Sequence, residues 1–553
     1  MSPISSVIAD RSTARINSSK RSRLGFKLAV AIINLGCCLG IPALPASKAI
    51  SAENIYLDYG PLEFSLSVKS LEIYAKEGKI ESDFNTFAGY LQPAQLEQLK
   101  TALSTKADLS PLAIAQFLYS YQGEKILERI GRVIKTSARQ PGFYALRSAL
   151  ILAAADEREG LTLLNVLKKY PTQGIRIDSN QGFAIVGSIS EIIQKSERAF
   201  AAVEREASAE RNENLAASNL LPISSNDFSY RQQLLTLRDR QRKRTFPVDL
   251  YLPQTEGKTP LIVISHGLGS DRTTFAYLAK YLAARGFAVA VPEHPGSNSS
   301  QIQDLLEGFA NDVTPPRELV DRPLDIKFLL DELEANYSQQ LNTQQVGIIG
   351  QSFGAYTALA LAGAELNFDN LRSECSNLED TFNISLLLQC LALELPRREY
   401  QLRDRRIVAA IAINPLVSAV FGQAGMSEIE IPVMLMSGSA DPVTPALAEQ
   451  IMPFTWLTTE QKYLALLKGG THFSVLNESS GSIPVPQRAI GPSPRIAQNY
   501  LKQLSLAFFK TYISERQDFR AYLSANYAAR ISRQEFPISL VRSLNREKLE
   551  AAP

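Results

Sequence analysis

Two textures divide the chain. From about Ser51 to Phe200 apolar residues recur every three or four positions with charges between them, as in "LQPAQLEQLKTALS", "PLAIAQFLYSYQGEKILERIGRVIK" and "ALRSALILAAADEREGLTLLNVLKKYP". That period belongs to helices with one buried face, and it predicts a mainly α N-terminal module over 51–200, poor in strands. "AAVEREASAERNENLAASNLLPISSNDF" then turns polar and ends in Pro, Ser and Asn, which predicts a helix running into a surface linker over 201–229. After Tyr230 short apolar runs take over: "FPVDLYLP", "LIVISHG", "FAVAVPEHPG", "QVGIIGQS", "RIVAAIAINP", "PVMLMSGSADP" and "KYLALLKGGTHF". Helical stretches such as "FAYLAKYLAARG" and "RPLDIKFLLDELEANY" separate most of them. Buried strands alternating with helices predict a mostly parallel sheet covered on both faces, hence an α/β domain over 230–515 and a C-terminal extension over 516–553.

One connection in that domain is long. About forty residues lie between the helix after "GIIGQS" and the strand beginning near Arg406, more than a plain connection needs. Within this insertion, about 365–404, "NISLLLQCLALELP" carries Leu388 and Leu391 among six leucines. Two readings stand side by side: an ordinary core helix, or a cap whose leucines hold an acyl chain.

Composition narrows the field. With 45% hydrophobic and 21% charged residues and a net charge of +2, the chain is globular, and its 553 residues exceed one ordinary domain. No dense Lys/Arg patch with interleaved aromatics appears, so no nucleic-acid partner is expected. Residues 1–50 change the picture more. Arg11, Arg15, Lys20, Arg21, Arg23 and Lys27 precede the apolar "LAVAIINLGCCLGIPALPA", followed by small residues around Ala46, Ala49 and Ala52. This predicts a cleaved signal peptide and an exported protein, periplasmic, luminal or secreted, with a membrane anchor through 28–46 as the alternative. Gly36, Gly40, Pro42 and Pro45 interrupt a stretch barely long enough to span. Without that segment Cys375 and Cys390 are the only cysteines, and whether they pair depends on a Cα separation that sequence does not give.

The candidate chemistry collects at strand ends, where parallel sheets bind their ligands. In "GIIGQSFGAYTALALAG" Ser352 lies between a strand and a helix. A nucleophile on such a turn needs space, which Gly350 and Gly354 supply as the two glycines of a nucleophile elbow. A serine hydroxyl also needs an oriented base. Among the three histidines, His472 follows the strand in "LKGGTHF", and Asp441 follows the strand in "MSGSADP". Ser, Asp, His is the order in which this fold carries its triad. Asn414, at a competing acid position, cannot hold an imidazolium by charge. Backbone N–H groups of Phe353 and of Leu268, in "SHGLGSDR", are the expected oxyanion donors. His266 and His294 are candidates to shape a loop or line a pocket. No His pair has metal-ligand spacing and neither HExxH nor CxxC occurs, so no metal and no cofactor is expected.

On "SHGLGSDR", "GFAVAVPEHPGSN", "GQSFGAYTALALAG" and the Asp441 and His472 loops, residues from about 230 to 513 resemble an α/β-hydrolase. They are most similar to the platelet-activating factor acetylhydrolase and dienelactone-hydrolase-like branch. The resemblance implies hydrolysis of carboxylic esters by Ser352, with acetylhydrolase relatives acting on short or oxidised acyl chains of phospholipids. It also implies oxyanion donors at Leu268 and Phe353. Gln351 stands where relatives usually carry His, and Ser352 stands where true dienelactone hydrolases carry Cys, which argues against dienelactone as substrate. The N-terminal half, including "ENIYLDYGPLEFSLSVKSLEIYAKEGKI", resembles an uncharacterised module fused to such hydrolases in cyanobacteria. The expected protein is therefore an exported serine esterase or lipase acting on small-molecule or lipid esters, with membrane-surface contact in prospect. The alternative is an envelope interaction protein whose helical module binds a protein partner of unknown identity.

Overall fold

The computed structural model describes residues 51–550 apart from 60–61, 214–227, 377, 379–380 and 478–489. The expected signal segment and residues 214–227 of the expected linker lie outside the described residues. Among the described residues no helix is long and apolar enough to cross a membrane.

The N-terminal region is less purely helical than its periodicity predicts. Strands β1 (Asn54–Tyr59), β2 (Leu62–Ser67), β3 (Ile134–Thr136) and β4 (Gly174–Asp178) form a small sheet in the order β2-β1-β4-β3. β1 pairs antiparallel with β2 and parallel with β4, Ile55 opposite Ile175. These strands escape a helical reading because they are short and half polar. Arg176 of β4 bonds Asp58 of β1 at 2.9 Å and Glu63 of β2 at 2.6 Å, so charges lie across the strands rather than between helices. Helices α1 (Pro111–Tyr119) and α2 (Tyr121–Val133) meet at Ser120. The long helix α3 (Ser179–Glu213) then runs straight through 201–213, which the polar composition assigns to a linker. Its polarity is that of a solvated face, because Ala199, Val203 and Ala207, four residues apart, join the core of the main sheet.

Among the described residues that sheet has nine strands. In chain order they are β5 (Tyr230–Asp239), β6 (Arg244–Pro253), β7 (Thr259–Ser265), β8 (Ala288–Pro292), β9 (Leu341–Gln351), β10 (Ile407–Ile413), β11 (Val433–Gly438), β12 (Lys462–Leu467) and β13 (Ile538–Val541). Their order across the sheet is β13-β12-β11-β10-β9-β7-β8-β6-β5. Strands β7 to β12 pair parallel, and the pairings at the two edges, β8 with β6, β6 with β5 and β12 with β13, are antiparallel. This is the α/β-hydrolase fold. Alternate residues of one strand feed opposite cores: Leu261 and Val263 face one, Ile262 and Ile264 the other. Because helices cover both faces, the central strands read as unbroken apolar runs.

Helices α4 (Ala276–Ala283), α5 (Ser299–Glu307), α6 (Glu318–Tyr337), α7 (Phe353–Ala362), α8 (Phe368–Cys375), α9 (Leu386–Gln389) and α10 (Pro494–Tyr512) complete the layers used below. α6 and α7 pack with the first core, α4 and α10 with the second. The last segment is no appendage: β13 pairs with β12, Val541 opposite Leu464, and closes the sheet edge. Four residues, "ISLV", carry too little pattern to announce a strand.

Candidate active site

Sheet topology decides where the site lies. From β7 the chain passes to β8 on one side, and β9 then lies on the other side of β7, next to β10. Loops leaving the carboxyl ends of β7 and β9 therefore diverge and open a crevice at the switch point. Register sets the neighbours: Ser265 pairs with Gly350, Gln351 with Ile413, and Gly438 with Leu467. The residues after these positions are the loop of Leu268, then Ser352, Asn414, the loop of Asp441 and the loop of His472.

Ser352 holds φ 55 and ψ −118, a conformation that a residue with a Cβ adopts only under constraint. Its N–H donates to the Ile413 carbonyl at 2.8 Å, while its own carbonyl receives the Ala355 N–H at 2.9 Å and starts α7. The two glycines have distinct steric duties. A Cβ at Gly350 would fall on the Gly354 backbone, and one at Gly354 on the Ser265 carbonyl. The strand-to-helix turn can close this tightly only with hydrogen at both positions.

His472 and Asp441 meet directly. His472 Nδ1 and Asp441 Oδ2 are 2.7 Å apart, and both residues are buried. Asp441 is fixed from behind: Oδ1 accepts the backbone N–H groups of Val443 at 2.7 Å and Thr444 at 2.9 Å, and Oδ2 accepts the Thr444 hydroxyl at 2.7 Å. Asn414, discarded as an acid, ties these loops together. Its Oδ1 accepts the Gly438 N–H at 3.0 Å and its Nδ2 donates to the Thr471 carbonyl at 3.3 Å. Gln351, next to Ser352, donates from Nε2 to the His472 carbonyl at 3.1 Å, which brings the serine turn and the histidine loop together. In the sequence Gln351 stands out only as a departure from relatives, and nothing singles out Thr444. The sole cue for both was their place beside a candidate.

The loop after β7 runs close over the same turn. A Cβ at Gly267 would strike Gln351 Oε1 and lie 3.4 Å from Ser352 Cβ. Among the described residues neither Leu268 nor Phe353 gives its backbone N–H to an acceptor, so both donors remain for an oxyanion.

His266 and His294 do not line a pocket. Both are fully buried behind the loop. His266 Nδ1 lies 2.8 Å from the Gly267 carbonyl, and Nε2 accepts the His294 N–H at 3.1 Å, so the neutral Nδ1–H tautomer satisfies both. His294 bonds Ser265 Oγ at 3.0 Å and Asp325 Oδ2 at 3.2 Å. Burial and the nearby Arg322 guanidinium hold both rings well below the usual imidazole range. Arg322, of α6, is fully buried and donates to Ser297 Oγ at 3.0 Å, Thr357 Oγ1 at 3.2 Å and the His266 carbonyl. Burial pulls it down to about 9, which leaves it charged at neutral pH. Behind it Asp325 receives both arms of Arg244, at 2.8 and 2.9 Å. Nothing in "VDRPLDIKF" marks these charges as buried, because their partners come from β6, α7 and the loops.

In the insertion, Cys375 and Cys390 form a disulfide with a Cα separation of 5.8 Å. Leu388 and Leu391 are buried in the same core cluster as Tyr356 and Phe421. Their packing is that of the core helix, not of an open acyl site, because the insertion is stitched inward. Buried Glu449 accepts Gln389 Nε2 at 2.9 Å and Ser385 Oγ at 3.0 Å while also binding the Val417 N–H at 2.7 Å. Among the described residues no His, Cys, Asp and Glu side chains cluster in a way that could hold a metal ion.

Comparisons with known proteins agree with this picture at the level of family. Residues 51–178 match the family described as "Alpha/beta hydrolase of unknown function (DUF1400)". Residues 245–312, which contain the Leu268 loop, match "Platelet-activating factor acetylhydrolase, isoform II". The chain is also 30% identical over 145 residues to the quorum-quenching protein AidA of Acinetobacter baumannii (strain MDR-ZJ06). That alignment covers 25% of this chain and 42% of the relative, so the chain spans less than half of that protein's length. Together with the sheet order, these matches support an α/β-hydrolase family for this chain.

Proposed function

We propose that this protein is an exported serine hydrolase that cleaves carboxylic esters, of lipids or of short to medium acyl groups, through an acyl-enzyme. One observation carries the reading: Ser352 sits on a positive-φ turn whose next-door Gln351 holds the loop of a hydrogen-bonded His472–Asp441 pair. Ser352 Oγ attacks the ester carbonyl and passes its proton to His472 Nε2, the nitrogen not engaged with Asp441. The Leu268 and Phe353 N–H groups take up the oxyanion. As the tetrahedral adduct collapses, the carbon–alkoxide bond breaks, and the leaving alkoxide takes the proton from His472. Water, deprotonated by the same imidazole, then cleaves the acyl-serine ester and restores the hydroxyl. Asp441 keeps the ring oriented and balances the imidazolium.

The acetylhydrolase match supports an ester as substrate. The Cys375–Cys390 disulfide supports an oxidising compartment, hence export through residues 1–50. N-terminal sequencing of protein from the native host tests export, with a terminus expected between Ala46 and Asn54. Activity is tested on a chain-length series of p-nitrophenyl esters with wild type and Ser352→Ala. Loss of roughly four to six powers of ten in kcat is expected, and retention of more than about a tenth would remove Ser352 as nucleophile.

A further inference from the structure

Ser352, Asp441 and His472 are all nearly buried, at 5–6% exposure, so an ester reaches them only through a bounded opening. The N-terminal region bears on two segments that are hydrogen-bonded to the Leu268 loop and the Asp441 loop. On the oxyanion side, the start of α5, which follows β8, is hydrogen-bonded to the loop that holds Leu268. Gly269 N–H donates to the Ser297 carbonyl and Ser299 N–H to the Ser270 carbonyl, each at 2.9 Å, and a Cβ at Gly269 would lie 3.3 Å from Ile302 of α5. The far end of α5 bears α1. At its left-handed cap, Gly308, an added Cβ would sit 3.2 Å from Gln116 Nε2 and 3.7 Å from Leu112 Cδ1.

On the acid side, Ser385 N–H donates to the Val443 carbonyl at 2.9 Å, and Val443 N–H donates to Asp441 Oδ1. This segment bears α2: the Arg129 guanidinium stacks over the Phe382 ring at 4.3 Å, and α2 packs against α9. One residue joins the two arms. Ser120 Oγ donates to the Phe117 carbonyl at 2.7 Å and accepts the Gly123 N–H at 3.3 Å, closing α1 and capping α2. A Cβ at Gly123 would collide with the Phe117 carbonyl, so the corner is tight and stiff. Beside each bearing stands an exposed large apolar side chain, Phe309 at 80% and Ile384 at 50%.

We infer that the α1–Ser120–α2 bracket is the outer wall of the substrate site, bridging its oxyanion and acid sides and limiting the size of apolar ester that reaches Ser352. This rests on the serine-hydrolase reading above. A bracket with two separate bearings can lift at one while staying folded at the other, and neither bearing includes a catalytic group. The wall therefore acts on substrate size and leaves the chemistry alone.

The test compares wild type with Arg129→Ala and with Leu112→Asp on p-nitrophenyl acetate and p-nitrophenyl decanoate. Freeing either bearing should lower KM for the decanoate by about fivefold or more while kcat and KM for the acetate stay within about twofold. Phe382→Ala, from the opposite side of the same stack, should reproduce Arg129→Ala and guards against a variant that merely folds poorly. An unchanged decanoate-to-acetate ratio in all three variants, or equal losses on both esters, overturns the wall. If wild type shows no Ser352-dependent hydrolysis of either ester, the hydrolase reading itself fails, and the wall with it.

Discussion

Replacing Asp441 by Asn tests the coupling between acid and base more sharply than deleting the side chain. Asp441 Oδ1 faces two backbone donors, Val443 and Thr444, at 2.7 and 2.9 Å. The amide introduced by Asp441→Asn must keep its oxygen there. Flipping it would set an NH2 group against both N–H groups, leaving donors unsatisfied at about 1–3 kcal/mol each. The NH2 group is therefore driven to the Oδ2 position, where His472 Nδ1 lies 2.7 Å away. Nδ1 must then accept, the ring proton moves to Nε2, and the nitrogen needed as base is blocked. Loss of the right tautomer in serine triads costs about four powers of ten in kcat, or about 5.4 kcal/mol at 1.36 kcal/mol per decade. Thr444→Val removes only one donor to Oδ2 and should cost about tenfold. Steady-state hydrolysis of p-nitrophenyl butyrate by both variants, with urea melts confirming the fold, provides the comparison. If Asp441→Asn stayed within tenfold of wild type, or if Thr444→Val cost as much, the tautomer account would be refuted.

Three other expectations concern what lies behind the site. Arg322→Met removes a buried cation that donates to acceptors on three separate segments and should cost about 3–5 kcal/mol in urea unfolding, with kcat falling more than KM changes. An unchanged midpoint would show that the buried network does not anchor the loop. His266 has its pKa depressed from 6.5, so it stays neutral when folded while the unfolded chain takes up a proton. Stability is thus fully present above pH 6.5 and is lost as pH falls below it, by up to about 1.4 kcal/mol per pH unit; His266→Gln should flatten the profile by that slope, and parallel profiles would contradict it. Breaking the Cys375–Cys390 bridge, which closes 15 residues, with Cys375→Ser should lower stability by about 3 kcal/mol without changing hydrolysis of acetate esters. A large fall in acetate turnover would instead make the bridge part of the site.

What the sequence determined by itself was whatever short-range sterics and period could encode. Gly350 and Gly354 flank Ser352 closely enough that the tight turn is written within five residues. The apolar runs before Ser352, Asp441 and His472 announce buried parallel strands, and strand ends are where chemistry collects. Tertiary structure decided everything that depends on which distant segment comes alongside. Gln351 reaches a carbonyl 121 positions away, and Arg322 a loop 56 positions back. β13 becomes a strand only because β12 offers it an edge, and 201–213 becomes a packed helix only because the main core receives Val203 and Ala207. His266 and His294, candidates to shape a loop or line a pocket, are buried beside a charge network assembled from β6, α6 and two loops. Local pattern records which faces a segment must bury; the partner that buries them comes from pairing energies between residues far apart in the chain.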